Sequence, residues 1–171
     1  MADVRVRPAR AADAERIALV QSQTWRQAYA ELLPPEVLEL PLERLAETWR
    51  TAAASPPSSR HRLLVALDGE ELVGLALSAP DEELPAFELA SLLVLPRWGR
   101  RGHGSRLLAA CVQAWREDGA ELAVCWLLER DRASAGFLRG AGWEPDGGAR
   151  GLETGHGTLR QVRFHADLRE G

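Results

Sequence analysis

The stretch best suited to chemistry is Leu92-Leu93-Val94-Leu95-Pro96-Arg97-Trp98-Gly99-Arg100-Arg101-Gly102-His103-Gly104-Ser105-Arg106-Leu107-Leu108. An apolar strand ends at Pro96, and a glycine-rich turn then opens a helix. The first N–H groups of a helix lack intrahelical acceptors and sit at the positive end of its dipole. Glycines let an anion approach those groups closely, so Gly102-x-Gly104 reads as a phosphate-binding turn. The N–H groups of Arg101 to Ser105 would bind the anion, and Arg100, Arg101 and Arg106 would add charge-assisted contacts. His103 lies inside the turn, where its imidazole could touch a phosphate. Taken alone, these residues also fit an ordinary surface turn in an arginine-rich chain.

Other chemistries fit less well. The Gly-Lys-Ser/Thr ending of a phosphate-loop NTPase is absent. A dinucleotide fold would need its glycine turn early in the chain, followed by further βα repeats. No Gly-x-Ser-x-Gly elbow supports Ser-His-Asp hydrolysis. His61, His156 and His165 show no ligand spacing with each other or with Cys111 and Cys125, so no metal site is expected. Both cysteines lie in strongly apolar segments and read as buried free thiols.

The elements that must position the turn follow from periodicity. Val4 and Val6 alternate with charges in a short strand that Pro8 ends. Asp13 is a candidate N-cap for a helix carrying Ile17, Val20, Gln21, Thr24 and Ala28 on one face, with Trp25 and Tyr29 beside it. Pro34-Pro35 breaks that helix, and a second runs from Leu42 to about Ala53, with Leu42, Leu45, Ala46 and Trp49 inward. Strands over His61–Leu67 and Leu72–Ser78 flank a hairpin turn at Asp68-Gly69-Glu70-Glu71. An acidic loop from Pro80 to Pro85 precedes Phe87–Leu95, whose near-continuous apolar run predicts a strand buried on both faces. A helix over Gly104–Glu117, a strand over Leu122–Leu128 and a short helix over Arg132–Arg139 follow. Gly140 and Gly142 end that helix, and one or two strands close the chain, Leu159–Leu168 being the clear one.

Composition bounds the class. The 171 residues suit one domain, are 46% hydrophobic and 27% charged, and carry a formal charge of -4. That balance argues against a nucleic-acid partner. All 21 basic side chains are arginine, which with the many Ala, Gly and Pro resembles a codon bias more than phosphate recognition. No run approaches the roughly 18 apolar residues of a membrane span, and residues 1–5 lack a signal-peptide core. A cytoplasmic protein without membrane partners is the expectation.

The central turn resembles motif A of the GNAT superfamily of N-acetyltransferases, roughly Val-x-Pro-x-x-(Arg/Gln)-Gly-x-Gly-x-(Gly/Ala)-x-x-Leu. Val94, Pro96, Gly102, Gly104 and Leu107 match in register, while the usual Arg-Gly pair appears as Gly99-Arg100. Asp131-x-x-Ser134-x-x-Phe137-Leu138-x-x-x-Gly142-Trp143 is similar to the family's later motif, Asn-x-x-Ala-x-x-Phe-Tyr-x-x-x-Gly-Phe. Further similarity lies in Arg7 and Asp13, in Trp25-Arg26-x-Ala28-Tyr29 and Leu33-Pro34, and in Leu159-x-x-Val162-Arg163-Phe164-x-x-x-Leu168. The resemblance covers essentially the whole chain, 1–171, as one GNAT-like domain.

It implies an α/β (α+β) fold with a mixed, mostly antiparallel sheet flanked by helices, whose central strands Phe87–Leu95 and Leu122–Leu128 splay. Acetyl-CoA would enter that gap, its amides pairing with main-chain groups of Leu93, Val94 and Leu95. Arg100 to Ser105, Asp131, Ser134 and Phe137 would complete its site, and no metal is implied. Glu88 stands in the strand where the histone-acetyltransferase branch carries its general base. A carboxylate desolvated among apolar neighbours can have a raised pKa and take a proton from an amine, directly or through water. The family's usual general-acid tyrosine is replaced by Leu138, and the only tyrosine is Tyr29. Trp25 and Tyr29 would face the acceptor, a small-molecule or peptide amine. Acidic residues from Glu31 to Glu83 either give that mouth a negative cast or are solvated loop charges. A homodimer is the assembly relatives suggest. A module that binds or senses acyl-CoA without turnover is the alternative reading.

Overall fold

A computed structural model describes residues 3–169. One seven-stranded sheet crosses the molecule in the order β1-β2-β3-β4-β5-β7-β6. Its strands are β1 (Val4–Pro8), β2 (Arg62–Asp68), β3 (Glu71–Pro80), β4 (Phe87–Val94), β5 (Leu122–Leu128), β6 (Glu144–Thr154) and β7 (Gly157–Asp167). Every neighbouring pair is antiparallel except β4 and β5, which run parallel. The helices are α1 (Ala14–Ala28), α2 (Pro35–Leu38), α3 (Leu42–Ala54), α4 (His103–Glu117) and α5 (Arg132–Gly140). Among the described residues, no helix is long and apolar enough to cross a membrane.

Two apolar clusters lie on opposite faces of the sheet. One joins Phe87, Leu89, Ala123, Cys125 and Phe164 to Leu107, Cys111 and Trp115 of α4. The other joins Val65, Leu75, Leu93 and Leu95 to Ile17 and Val20 of α1 and Trp49 of α3. Two buried indoles inside them are paired, as low-dielectric surroundings favour. Trp115 Nε1 donates to Ser78 Oγ at 2.8 Å, and Trp49 Nε1 donates to Gln21 Oε1 at 2.6 Å.

Several elements differ from the sequence expectation. Asp13 does not cap α1 through its side chain. Its buried carboxylate instead accepts from Arg7 and Arg16 and from the Arg10 N–H. Those arginines hold its pKa down to about 2, against the opposing effect of burial. Leu42 and Ala28 turn to solvent. The hairpin between β2 and β3 forms as expected, with Gly69 at φ +61 supplying the left-handed turn position. β6 is a full strand that sequence patterning misses, because Glu-Pro-Asp-Gly-Gly-Ala-Arg-Gly offers no apolar alternation and the strand lies exposed at the sheet edge. Gly151 there faces Thr158 so closely that an added Cβ would lie 2.6 Å from its Cγ2.

β4 departs most from expectation. It is not buried on both faces: Ala90 is exposed and Glu88, Ser91, Leu92 and Val94 are half-buried. Its register against β3 steps from Ser78↔Leu89 to Leu77↔Ser91, leaving Ala90 as a bulge. A bulge bends its strand and reverses the alternation of side chains beyond it. Accordingly Phe87 and Leu89 face α4 before the bulge, whereas Leu93 and Leu95 face α1 after it.

Candidate active site

β4 and β5 pair only at Phe87↔Ala123 and Glu88↔Val124. Beyond Ala90 they part, opening a cleft of about 290 Å³. Its floor is the edges of the two strands, Leu89–Leu93 and Cys125–Leu128. One wall is Asp131, Ser134, Phe137 and Leu138 at the start of α5. Trp25, Tyr29, Leu33, Pro34 and Val37 form a second wall, and Leu152, Leu159 and Gln161 of β6 and β7 a third. The sequence reading placed Leu159 and Gln161 on a closing strand and missed Leu152 together with β6. His156 in the β6–β7 turn meets Glu36 of α2 at 2.6 Å, joining the second and third walls at the mouth.

The main chain of β4 offers an edge to this cleft. The Leu95 N–H donates to the Val73 carbonyl at 2.8 Å, so its donor is used within the sheet. Strand backbone alternates, so the N–H and C=O of Val94 point to the opposite edge, where β5 has already left. Of the three residues Leu93 to Leu95, Val94 is therefore the one whose backbone groups are open to an added strand-like ligand, and Leu95 is not.

At the end of β4 the chain makes a 3₁₀ turn over Pro96–Trp98 and enters α4 through Gly102. Gly102 has φ +83, and Arg100, with φ +60, is the single non-glycine of positive φ among the described residues. Arg100 occupies the position where the resembling motif carries glycine, and its backbone keeps the glycine conformation. Arg101 stacks over Trp98 at 4.8 Å, and Arg106 donates to the Arg101 carbonyl at 3.1 Å beneath Gly102. Arg100, Arg101 and Ser105 are exposed around the α4 N-terminus. The His103 side chain is not: it is 1% exposed, edge-on to Trp98, with Nε2 3.3 Å from Asp68. Its imidazole cannot reach an anion outside the turn, which leaves only its backbone N–H. A Cβ on Gly104 would approach the Phe137 ring to 3.4 Å, so glycine here lets α4 and α5 close together beside the cleft.

Asp131 is 8% exposed and caps α5 by accepting the Ser134 N–H at 3.1 Å. Its Oδ2 accepts from the Ser134 hydroxyl at 2.6 Å and from the Tyr29 hydroxyl at 2.8 Å. The last bond, from the end of α1, has no sequence signal. Burial, and then the Asp131 charge, raise the Tyr29 pKa well above that of a free phenol. The two cysteines are free and buried, and burial pushes both thiols up to about 12.

Glu88 lies outside the cleft lining, at the closed end where β4 still pairs with β5. It is half-buried, and desolvation raises its pKa, opposed by Arg150 and reinforced by Asp81 and Glu82. Asp81 also accepts the N–H groups of Glu83 and Leu84, so part of the acidic loop is organised by its own turn. Among the described residues, no three His, Cys, Asp or Glu side chains converge as metal ligands.

A mixed sheet that parts around a bulge, with a helix N-terminus set beside the gap, defines an acetyltransferase of the GNAT type. The acetyltransferase (GNAT) family profile matches residues 22–143, and the chain belongs to that family. It is 24% identical over 150 residues to the probable N-acetyltransferase Rv2775 of Mycobacterium tuberculosis, covering 85% of this chain and 82% of that one. The PaiA N-acetyltransferase of Thermoplasma acidophilum, solved in complex with coenzyme A, shares the fold with a TM-score of 0.76 at 16% identity, over 96% of this chain and 99% of that one. The yncA putative acetyltransferase of Salmonella typhimurium, solved with its cofactor acetyl-CoA, gives 0.69 at 17%, over 98% and 95%.

Proposed function

We propose that the protein is an N-acetyltransferase that moves an acetyl group from acetyl-CoA to a primary amine by direct attack in a ternary complex. The observation that carries this reading is the unpaired β4 edge at Val94 leading into the left-handed turn at Arg100 and Gly102. The residues present fit the donor. An extended amide-bearing arm adds to the β4 edge as a strand would, and a pyrophosphate takes the N–H groups from Arg101 to Ser105. Arg100 lies at the rim of that turn, and Phe137 closes the gap beside Gly104. Asp131 and Ser134 shape the wall rather than bond the donor, since Asp131 accepts from both the Ser134 and Tyr29 hydroxyls.

The donor supplies a thioester carbonyl; the chain must free the acceptor's lone pair and let the thiolate go. Glu88, its pKa raised by desolvation, takes the ammonium proton directly or through water. The amine nitrogen then bonds to the acyl carbon, and the C–S bond breaks with its electron pair on sulfur. The nitrogen gives up its extra proton to solvent as the amide forms, and solvent returns a proton to the thiolate. Trp25 and Tyr29 line the acceptor side of the cleft.

One observation favours a second reading, a module that binds acyl-CoA without turnover. The only phenol in the cleft donates its hydrogen bond to Asp131, and the usual tyrosine position holds buried Leu138. Neither of those two side chains stands ready to protonate a leaving thiolate. Calorimetric titration with coenzyme A and thiol release from acetyl-CoA across a panel of amines separate the two. Binding with release for some amine supports the enzyme, and binding without release for any supports the module. Failure to bind coenzyme A refutes both.

A further inference from the structure

The register of the sheet collects a second group of side chains beside Glu88. Glu88 pairs with Val124, Trp126 lies two residues further along β5, Trp126 pairs with Arg163, and Arg150 pairs with Gln161. Paired residues share a face and alternate residues keep it, so Glu88, Trp126, Arg150, Gln161 and Arg163 all point to the face that carries α1. Within this group the Arg150 guanidinium stacks on the Trp126 ring at 4.2 Å, and its Nε donates to Gln161 Oε1 at 2.7 Å. Trp126 and Gln161 both line the cleft.

The two arginines differ in what they leave open. Arg163 is spent on Asp146, to which its Nε donates at 2.7 Å. Arg150 is held by an amide and a ring, and among the described residues no carboxylate pairs with it within 4.0 Å. Its two terminal nitrogens form a fork matched to a carboxylate, already fixed in orientation. Glu88 feels its charge without forming an ion pair. An anion site and a carboxylate are thus set apart on one face, outside the cleft lining and beside Trp126 and Gln161, which belong to it. Leu152, which shares the face of Arg150 two residues along β6, is 44% exposed and lines the same cleft. With Trp25, Leu33 and Val37 across the gap, it gives an apolar slot.

We propose that the acceptor is a free α-amino acid with an apolar side chain, whose carboxylate is recognised by Arg150 while its amine faces Glu88. This rests on the acetyltransferase reading above and assigns its substrate class. A simple cationic amine would meet Glu88 but leave the Arg150 guanidinium without an anion. A zwitterion satisfies both charges, and its side chain covers Leu152.

The test uses matched pairs: L-methionine with L-methioninamide, L-leucine with L-leucinamide, and L-phenylalanine with L-phenylalaninamide. Thiol release from acetyl-CoA gives kcat/KM for each. A charge-assisted fork predicts that the acids exceed their amides by about 10- to 100-fold. Arg150→Met should bring that ratio to about one, and Arg150→Lys should retain part of it. Coenzyme A titration checks that each variant is folded. Amides used as well as the acids, or a preference that survives Arg150→Met, overturns the proposal. If other amines of the wider panel release thiol but these acids do not, the transferase reading stands and the proposal is overturned. If no amine of either set releases thiol, the transferase reading fails and calorimetric titration with L-methionine decides this one separately. Saturable binding lost in Arg150→Met and absent for L-methioninamide supports it, and no saturable binding overturns it.

Discussion

Arg100 holds φ +60 in the turn before α4, where its Cβ crowds the backbone and a glycine would not. A non-glycine residue in the left-handed region costs about 1–2 kcal/mol. Glycine in turn loses about 0.5–1 kcal/mol more backbone entropy on folding. Arg100→Gly should therefore stabilise the protein by about 0.5–1 kcal/mol. For a chain of this size that raises Tm by roughly 1–4 °C. Arg100 is exposed, so no packing is lost to mask the effect. Arg100→Ala is the control, because it removes the same charge and keeps the Cβ. The measurement is the difference in Tm between the two variants, supported by urea midpoints at unchanged m. Coenzyme A titration of both separates strain from charge: they should lose affinity alike, and more at low salt, if the guanidinium meets phosphate. Equal Tm values for the glycine and alanine variants would refute the claim that backbone strain is stored at this turn.

Three further outcomes follow from the same geometry. Glu88→Gln should lower kcat/KM by about 10²–10⁴-fold. The raised carboxyl pKa places the acid limb of the wild-type pH–rate profile above the ordinary 4.5, and the variant should lack that limb. Asp13→Ala leaves Arg7 and Arg16 facing each other beside α1 and should cost about 3–5 kcal/mol, read from urea unfolding. Because the folded Asp13 pKa is lowered to about 2 from 3.8, its contribution is complete above about pH 4 and disappears as pH falls toward 2. Wild-type stability should fall through that window more steeply than that of the variant. Tyr29 is the only tyrosine, so absorbance at the tyrosinate band reports it alone. Folded protein should show no ionisation until well above the range of a free phenol, and an early titration would contradict the Tyr29–Asp131 bond.

Much of the fold was legible because its signals are local. The apolar runs of β2, β3 and β5, the helical spacing of α1, α3 and α4, and the hairpin glycine at Gly69 each depend on neighbours in the chain. The glycine turn before α4 was legible for the same reason: glycines before an amphipathic helix mark where it starts wherever the helix packs. β6 was not, since its pairing with β7 supplies what its glycine-rich sequence lacks.

Sequence alone thus determined most of the element order and the glycine turn before α4, set by residue type over a few positions, while Glu88 became a candidate through the family resemblance. The bulge at Ala90 is a matter of register between strands, and only it decides that β4 and β5 part and which residues face the gap. The hydrogen bond from the Tyr29 hydroxyl to Asp131 joins positions 102 residues apart. The stacking of Arg150 on Trp126 needs three strands to align. His103 reads as a phosphate contact in the chain and is turned inward by packing against Trp98 and Asp68. Burial and partnership between distant residues are properties of the packed sheet, which no local spacing encodes.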